Sequence, residues 1–230
     1  MNDSDLISEQ LFNSIEDVLQ NQIIKRKSVD SLMAQVRFRY PAPVFFIESS
    51  EFMLRNLGLS NTEAFYFSMI PGLARIMNRD SFGKKPRLNT LSQMIPYLRS
   101  LYIGVHVERF YAVLLDSHGG HLRTEKLGEG TVDSAPFDMC KLMSLLMYHS
   151  ARAVVLCHNH PGGTLAPSQE DIKCTLSALS ALTTIGLPLL DHVIISCEQT
   201  LSIRNSGYIS PELWVMQGPD NKLVRNWLAR

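Results

Sequence analysis

The 230 residues are enough for one large domain or two small ones, and 45% hydrophobic with 19% charged residues is typical of a globular protein. Lysine plus arginine and aspartate plus glutamate both number 22, which excludes a strong overall charge that would attract nucleic acid or an anionic membrane. No apolar run approaches the roughly 18 residues of a membrane span, and the polar start MNDSDLISEQ is unlike a secretion signal, so we expect a cytoplasmic protein with no membrane partner.

Helical patterns dominate the first part of the chain and predict a small all-helical domain over residues 1–85. Apolar residues recur at helical spacing in LFNSIEDVL, and a second helix through VDSLMAQVRF is expected to be capped by Ser28 and ended by YPAP. The stretch SEFMLRNLGLSNTEAFYFSMIPGLARIMNR predicts two helices joined by a tight turn at Gly58. The pair Pro71-Gly72 is expected to interrupt or kink the second of them.

The polar, basic stretch DSFGKKPRLN predicts a linker at 80–89. After it, the patterns change from purely helical to a mixture of strands and helices. Thr90 and Gln93 form a capping-box pattern that opens a helix. ERFYAVLLDSHGGHLRTEKLGEGT predicts two strands joined by a turn, FDMCKLMSLLMYHSA a helix and RAVVLC a short buried strand. LLDHVIIS and TLSIRNSGYI predict two more strands. The alternation of strands and helices indicates an α/β or α+β domain of about 120 residues.

The most informative stretch is LCHNHPGGTLAPSQED, which follows directly on the predicted strand RAVVLC. In an extended segment successive side chains alternate between faces, so His158 and His160 project to one side and Asn159 to the other. Pro161 ends strand pairing, and the two glycines after it let the chain fold back. Two imidazoles on one side of a strand end can share a small cation.

A helix is predicted to begin just after this turn and to end at Gly186. Ser168 occupies its N-cap and Asp171 its third position, which is a capping box with Asp in place of Glu. The helix dipole favours an ionised carboxylate there by about 0.3–1 kcal/mol. Four apolar residues are expected to form the buried face of this helix: Ile172, Leu176, Leu179 and Leu182.

Two imidazoles, one carboxylate and an open fourth position match the ligand set of a catalytic zinc ion. The pattern H-x-H-x7-S-x2-D is expected by chance in about one chain of this length in a thousand. The alternative is a hydrogen-bonded pair of loop histidines beside a plain helix cap. A catalytic zinc site also needs a base, usually a glutamate, and spacing leaves three upstream candidates open: Glu108, Glu125 and Glu129.

Other residues near this stretch are open to two interpretations. Cys157 is either a metal ligand or nucleophile, or a small apolar residue that ends a buried strand. His192 is either a partner of the metal ligands or a core histidine bonded to its neighbours. The four cysteines form no CxxC pair, which indicates reduced cysteines in a cytosolic protein. Because no P-C-x-x-C motif occurs, a zinc deaminase is disfavoured.

The string HNHP at 158–161, with Ser168 and Asp171, resembles the signature of JAMM/MPN metallopeptidases. The longer string HNHPGGTLAPSQEDI, with LLDHVII downstream, resembles the RadC branch in particular. This resemblance implies a JAMM/MPN metal domain over residues 90–210, with a cytidine-deaminase-like mixed sheet flanked by helices. Residues 211–230 are then a C-terminal tail.

The resemblance also implies roles for five residues, carried over by their motif positions. His158, His160 and Asp171 would hold zinc, and Glu108, at the start of the first strand, would take a proton from the attacking water and give one to the leaving amine. Ser168 would stabilise the tetrahedral intermediate with its hydroxyl. The implied activity is that of a zinc-dependent peptidase or isopeptidase with a peptide or protein substrate.

The sequence departs from the RadC-like pattern at two positions. Gly162 stands where these chains usually have Ser. Lys141 lies in the region where they usually have an acidic residue, at the start of the helix before the HNH strand. Neither position belongs to the implied set of metal ligands.

The stretch LRNLGLSNTEA resembles the helix-hairpin-helix segment that precedes the RadC metal domain, and it implies an alternative function. In that function the chain is a DNA-associated accessory protein of repair or recombination, and its metal domain is secondary. Such a segment binds phosphate through backbone N–H groups in a Gly-h-Gly turn, but here Ser60 replaces the second glycine after Gly58. Lys84 and Lys85 are candidates for further phosphate contacts. The competing interpretation is a helical packing module with a solvated basic linker.

Overall fold

The computed structural model describes residues 29–39, 49–130, 137–196, 199–215 and 222–228, together with residues 9, 12, 13, 15 and 16. The chain divides into two compact units, Met1–Met77 and Asn78–Arg230. Across the described residues, every helix is too short or too polar to span a bilayer.

The first unit is helical. It contains α1 (Val29–Arg39), α2 (Glu51–Asn56) and most of α3 (Asn61–Ser81). Gly58 has a φ of 92° in the turn between α2 and α3, which confirms the predicted tight turn. Among the described residues of the first unit, ten form its core: Phe12, Ile15, Leu32, Met33, Val36, Leu54, Leu57, Leu59, Ala64 and Phe67.

Pro71 lies inside a continuous helix. The expected interruption at Pro71 is wrong, because α3 continues through it. Pro71 is buried on the same helix face as Ala64 and Phe67, and the packing of this face offsets the cost of the proline. Of the predicted first helix, Ile15 is helical and buried, whereas Leu11, Val18, Leu19 and the YPAP stretch lie outside the described residues.

The second unit is built on a mixed sheet of five strands in the order β2-β1-β3-β4-β5. Its strands are β1 (Glu108–Leu115), β2 (His121–Gly130), β3 (Ala153–Asn159), β4 (Leu189–Ser196) and β5 (Gln199–Ser202). Strands β3 and β4 are parallel, and the other three pairings are antiparallel. The predicted last strand is shorter than TLSIRNSGYI, because a short helix, Ile203–Ser206, follows β5 directly.

Helices flank this sheet, as the α/β prediction required. They are α4 (Leu91–Ser100), α5 (Met139–Tyr148), α6 (Gln169–Thr184), α7 (Ile203–Ser206), α8 (Pro211–Val215) and α9 (Lys222–Leu228). Strand residues alternate between two cores. Val113 and Leu115 of β1 pack with α4 and α9, whereas Ala112 and Leu114 pack with α5 and α6. All seven residues of the central strand β3 are buried, as expected of a strand covered on both faces.

Two segments expected to lie outside the packed domain contribute to it. The predicted linker at 80–89 is not a free connection, because Leu88 is buried and its N–H donates to the carbonyl oxygen of Gly119 at 2.7 Å. After residue 210, where a tail was expected, Trp214 and Trp227 are buried in the two cores. These buried residues of the two segments pack against residues distant in sequence.

Helix α6 begins and ends as predicted, with Ser168 as its N-cap and Gly186 at a φ of 68° just after it. Its buried face is different from the predicted one: Asp171, Thr175, Ala178, Leu179 and Leu182 are buried. Leu176 is 38% exposed, so its predicted burial is wrong. The polar residues Asp171 and Thr175 occupy the inward positions of the first two turns, and a single helix face cannot hold Leu176 as well.

Candidate metal centre

The ends of two neighbouring strands meet at the candidate site. Because β1 runs antiparallel to β3, the start of β1 lies beside the end of β3. Phe110 pairs with His158, and side chains alternate along a strand, so Glu108 comes next to His160 on the same side of the sheet. The ring of Phe110 stacks on that of His158, with centroids 5.4 Å apart and planes 8° from parallel.

The start of α6 supplies the third part of the site. Both bonds of the predicted capping box are present: the Ser168 N–H donates to Asp171 Oδ2 at 2.7 Å, and the Asp171 N–H donates to Ser168 Oγ at 3.1 Å. The Ser168 hydroxyl also donates to Asp171 Oδ2 at 2.8 Å. These bonds hold the carboxylate in one orientation at the helix N-terminus, where the dipole favours its charge.

Four side chains converge here: Glu108, His158, His160 and Asp171. Each offers one possible ligand atom, and these atoms all lie within 4.8 Å of one another. His158 Nε2 lies 2.8 Å from His160 Nε2 and 3.1 Å from Asp171 Oδ1, and His160 Nε2 lies 3.4 Å from Asp171 Oδ2. The fold therefore brings together the four residues to which the family resemblance assigned the roles of ligands and base.

The donor set fits a zinc ion. Ligand atoms about 2.0–2.1 Å from a tetrahedral zinc lie about 3.3 Å from one another. The three separations among His158, His160 and Asp171, from 2.8 to 3.4 Å, cluster around that value. Two imidazole nitrogens and a carboxylate oxygen are also the ligand types of catalytic zinc sites.

The carboxylate and the two imidazoles influence one another's protonation. Burial by itself raises the pKa of the Asp171 carboxyl, but the adjacent His158 and His160 imidazoles outweigh this effect, and the pKa lies well below its usual range. The hydrogen bond with Asp171 raises the pKa of His160. Burial lowers the pKa of His158, which is fully enclosed, against the opposing effect of Asp171. Asp171 is therefore an anion, and His158 favours the neutral ring that a metal ligand needs.

Glu108 lies in a different electrostatic environment. Burial raises the pKa of its carboxyl, and the neighbouring His160 partly offsets this. A carboxylate with a raised pKa is a stronger base and approaches the pKa suited to proton transfer near neutral pH. The other two candidate bases lie along β2, where Glu125 pairs with Arg123, and Glu129 pairs with Arg109 and Lys126.

The second nitrogen of His158 points away from the cluster into a buried chain of hydrogen bonds. His158 Nδ1 lies 2.8 Å from His192 Nε2, and His192 Nδ1 lies 2.7 Å from Thr175 Oγ1. Thr175 Oγ1 donates to the backbone carbonyl of Asp171 at 2.6 Å. His192 is thus both a core histidine and a direct partner of His158. Thr175 was not identified from the sequence, although its position four residues after Asp171 puts it on the same helix face.

Asn159 points away from the cluster, as strand alternation predicted, and holds the start of β1. Its Oδ1 accepts from the Arg109 N–H at 2.8 Å, and its Nδ2 donates to the Val107 carbonyl at 3.0 Å. These two backbone groups stand on either side of Glu108. Cys157 faces the opposite core, where its Sγ accepts from the Tyr102 hydroxyl, and burial raises the pKa of its thiol to about 12. This is the environment of a structural apolar cysteine.

Neither of the two departures from the RadC-like pattern belongs to the four-residue cluster. Lys141 Nζ donates to the Lys126 carbonyl on β2, and the acidic residue at the start of α5 is its N-cap, Asp138. Apart from Gly162 itself and its chain neighbours, no described atom lies within 4 Å of a Cβ built on Gly162, so a Ser would fit there.

The candidate nucleic-acid residues are distributed over both units. Gly58 belongs to the first unit, and Lys84 and Lys85 to the second. In the α2–α3 turn the Ser60 N–H donates to the Glu63 carboxylate at 2.7 Å. The position of the missing second glycine therefore presents a carboxylate rather than a free N–H group, and a carboxylate repels phosphate.

The chain also matches a known family and several known proteins. A family model described as the RadC-like JAB domain matches residues 88–208, just over half of the chain. The chain is 34% identical to a UPF0758 protein of Shewanella amazonensis over 137 residues, which are 60% of this chain and 61% of that protein. It is 29% identical to one of Vibrio cholerae over 164 residues, 71% of this chain and 73% of that protein. It is 39% identical to one of Idiomarina loihiensis over 102 residues, 44% of this chain and 46% of that protein. The matches to the Shewanella and Idiomarina proteins span less than two thirds of their length.

Proposed function

The chain belongs to the RadC-like JAB domain family, and on that premise we propose that it is a zinc-dependent hydrolase that cleaves a peptide or isopeptide bond. Family membership and a four-residue cluster fit a metallohydrolase. One observation supports hydrolysis of a peptide or isopeptide bond in particular. A carboxylate oxygen of Glu108 lies within 4.8 Å of the ligand atoms of His158, His160 and Asp171. This set combines three ligands with one carboxylate left over as a base.

Three side chains would hold the zinc ion: His158 and His160 through Nε2, and Asp171 through its carboxylate. When bound, zinc lowers the pKa of the attacking water and polarises the carbonyl of the scissile bond. The capping box restricts Asp171, and the stack on Phe110 restricts His158, so both ligands are oriented in advance.

Glu108 then performs the proton transfers. Its carboxylate accepts a proton from the attacking water, and the carboxylic acid so formed donates that proton to the nitrogen of the leaving amine. Its raised pKa supports both steps, because the group must take up and release the same proton in one turnover. A general acid–base group of this kind contributes about 10²–10⁴-fold to the rate.

Ser168 is the remaining candidate for the chemistry. Its hydroxyl donates to Asp171 Oδ2 in the structure. To stabilise the oxyanion of the tetrahedral intermediate, the O–H must rotate toward the substrate while Oγ still accepts from the Asp171 N–H. The Ser168 hydroxyl can therefore donate either to Asp171 Oδ2 or to the oxyanion. In both orientations Oγ still accepts from the Asp171 N–H and caps the helix.

The substrate class that suits this chemistry is a peptide or protein amide. We do not adopt the DNA-associated function, because the incomplete turn at Gly58 and the Ser60–Glu63 bond disfavour phosphate binding there. A weak DNA contact by Lys84 or Lys85 is separate from the proposed hydrolysis and is tested by the salt dependence of DNA binding.

Metal analysis tests the site directly. The purified protein should contain about one zinc per chain, and His158→Ala or His160→Ala should reduce it to near zero while the thermal transition of the chelated protein is retained. Glu108→Gln should keep the zinc and lose hydrolysis, with Glu125→Gln as a matched control that keeps both. Glu108→Gln can also serve as an inactive trap for substrates in a cell lysate. Full zinc occupancy in both histidine variants would refute the assignment.

A further inference from the structure

A chain of three hydrogen bonds connects His158 to the backbone of the helix that carries Asp171. Its members are buried: His158, His192 and Thr175 expose none of their surface. We propose that His192 and Thr175 are positioning residues, which fix the proton of His158 on Nδ1 so that Nε2 faces the cluster as a free lone pair. The inference rests on the proposed function in one respect, the assignment of His158 as a metal ligand.

The direction of each hydrogen bond follows from the last acceptor in this series, the Asp171 carbonyl. The Asp171 carbonyl can only accept, so the Thr175 hydroxyl donates to it at 2.6 Å. The proton of Thr175 Oγ1 is then committed, and the oxygen must accept from His192 Nδ1 at 2.7 Å. Because burial disfavours a charged ring, His192 carries one proton, on Nδ1, and its Nε2 accepts. His158 Nδ1 therefore donates to it at 2.8 Å.

The reverse direction would defeat metal binding. If His192 carried its proton on Nε2, it would donate to His158 Nδ1, and the proton of neutral His158 would lie on Nε2. That proton would point at His160 and Asp171, where the ligand lone pair is needed. Reversal would also turn the Thr175 hydroxyl away from the Asp171 carbonyl. The carbonyl of one ligand residue thus sets the tautomer of another, through two residues that do not contact the metal.

Packing restricts the rotation of the His158 and His192 rings. Phe110 stacks on His158 and also contacts His192, with ring centroids 5.1 Å apart. His192 lies in β4, which pairs in parallel with β3, so its backbone is fixed relative to that of His158. Partners that orient a ligating histidine typically contribute about 10–100-fold to metal affinity.

Two substitutions at Thr175 separate hydrogen bonding from packing. Thr175→Val keeps the volume and removes the hydroxyl, whereas Thr175→Ser keeps the hydroxyl and removes a methyl group. We expect zinc affinity, measured by competition with a chromophoric chelator, to fall about 10–100-fold in Thr175→Val and to stay within about threefold in Thr175→Ser. If Thr175 only fills space, the order is the opposite, because Ser leaves a cavity and Val does not.

Nitrogen NMR of the imidazoles in the metal-free protein gives a second readout. Wild type should show His158 protonated on Nδ1 and bare on Nε2, and Thr175→Val should shift it toward the other tautomer. A His158 protonated on Nε2 in wild type overturns the inference, as does a Thr175→Val variant with unchanged zinc affinity. A wild type that binds no zinc refutes the proposed function instead, and the NMR spectrum then decides the inference alone.

Discussion

Asn159 links the end of β3 to the start of β1, and replacing it tests how the structure holds Glu108. Its side-chain amide accepts from the Arg109 N–H and donates to the Val107 carbonyl, and Asn159 is only 5% exposed. Leucine has a similar volume but can make neither bond. We expect Asn159→Leu to destabilise the protein and to loosen the backbone on both sides of Glu108, while all three proposed zinc ligands remain.

The loss of stability expected in Asn159→Leu depends on the surroundings of the two hydrogen bonds that the side chain makes. Each hydrogen bond contributes about 0.5–1.5 kcal/mol net, and a partner left buried and unpaired costs about 1–3 kcal/mol. Val107 is 40% exposed, so its carbonyl can be hydrated again in the variant. The Arg109 N–H lies within β1 and has less access to water. The expected loss is therefore about 2 kcal/mol, which corresponds to a fall of about 4–8 °C in Tm for a protein of this size.

Urea unfolding in the presence of a chelator measures this loss without a contribution from bound metal. Asn205→Leu is a matched control, because Asn205 is exposed and its side chain replaces no strand pairing; it should change the stability by no more than about 0.5 kcal/mol. Asn159→Asp should resemble Asn159→Leu, because its carboxylate can accept from Arg109 but faces the Val107 carbonyl with a second acceptor. If Asn159→Leu is as stable as the control, the amide bridge does not hold the strand start.

Two further predictions concern the second unit. Burial lowers the pKa of His121 from 6.5 to about 4. Between these pH values the unfolded chain binds a proton that the folded chain does not, so stability should fall as the pH falls. The ring is partly exposed, and solvent screening reduces the expected loss to about 1 kcal/mol at pH 5. His121→Gln should flatten the pH dependence of urea unfolding measured with a chelator, and an unchanged slope would contradict this. Gly119 has a φ of 77°, and an added Cβ would overlap the Cβ of Asn89. Gly119→Ala should cost more than about 2 kcal/mol, whereas Gly162→Ala, with nothing within 4 Å, should change stability by less than about 0.5 kcal/mol; equal transitions for the two variants would contradict the steric argument.

Much of the secondary structure and the types of the proposed ligands could be predicted from local patterns in the sequence. Period-two and helical spacing located the five strands and the helices α4, α5 and α6 of the second unit. The Ser168–Asp171 spacing predicted the capping box that the structure contains. Alternation along β3 also put His158 and His160 on one side and Asn159 on the other. These signals are local, because they depend on residues within a few positions of one another.

The assembly of the candidate site and the buried face of α6 depended on contacts between residues far apart in the chain. Spacing left three glutamates open, and only the family resemblance chose Glu108; the structure brings Glu108 to the histidines because β1 and β3 pair with Phe110 opposite His158. Thr175 and His192 join the site through the packing of α6 against β4, which also leaves Leu176 exposed. Strand register and helix rotation are selected by the packing of the whole core, and one segment does not contain that information by itself.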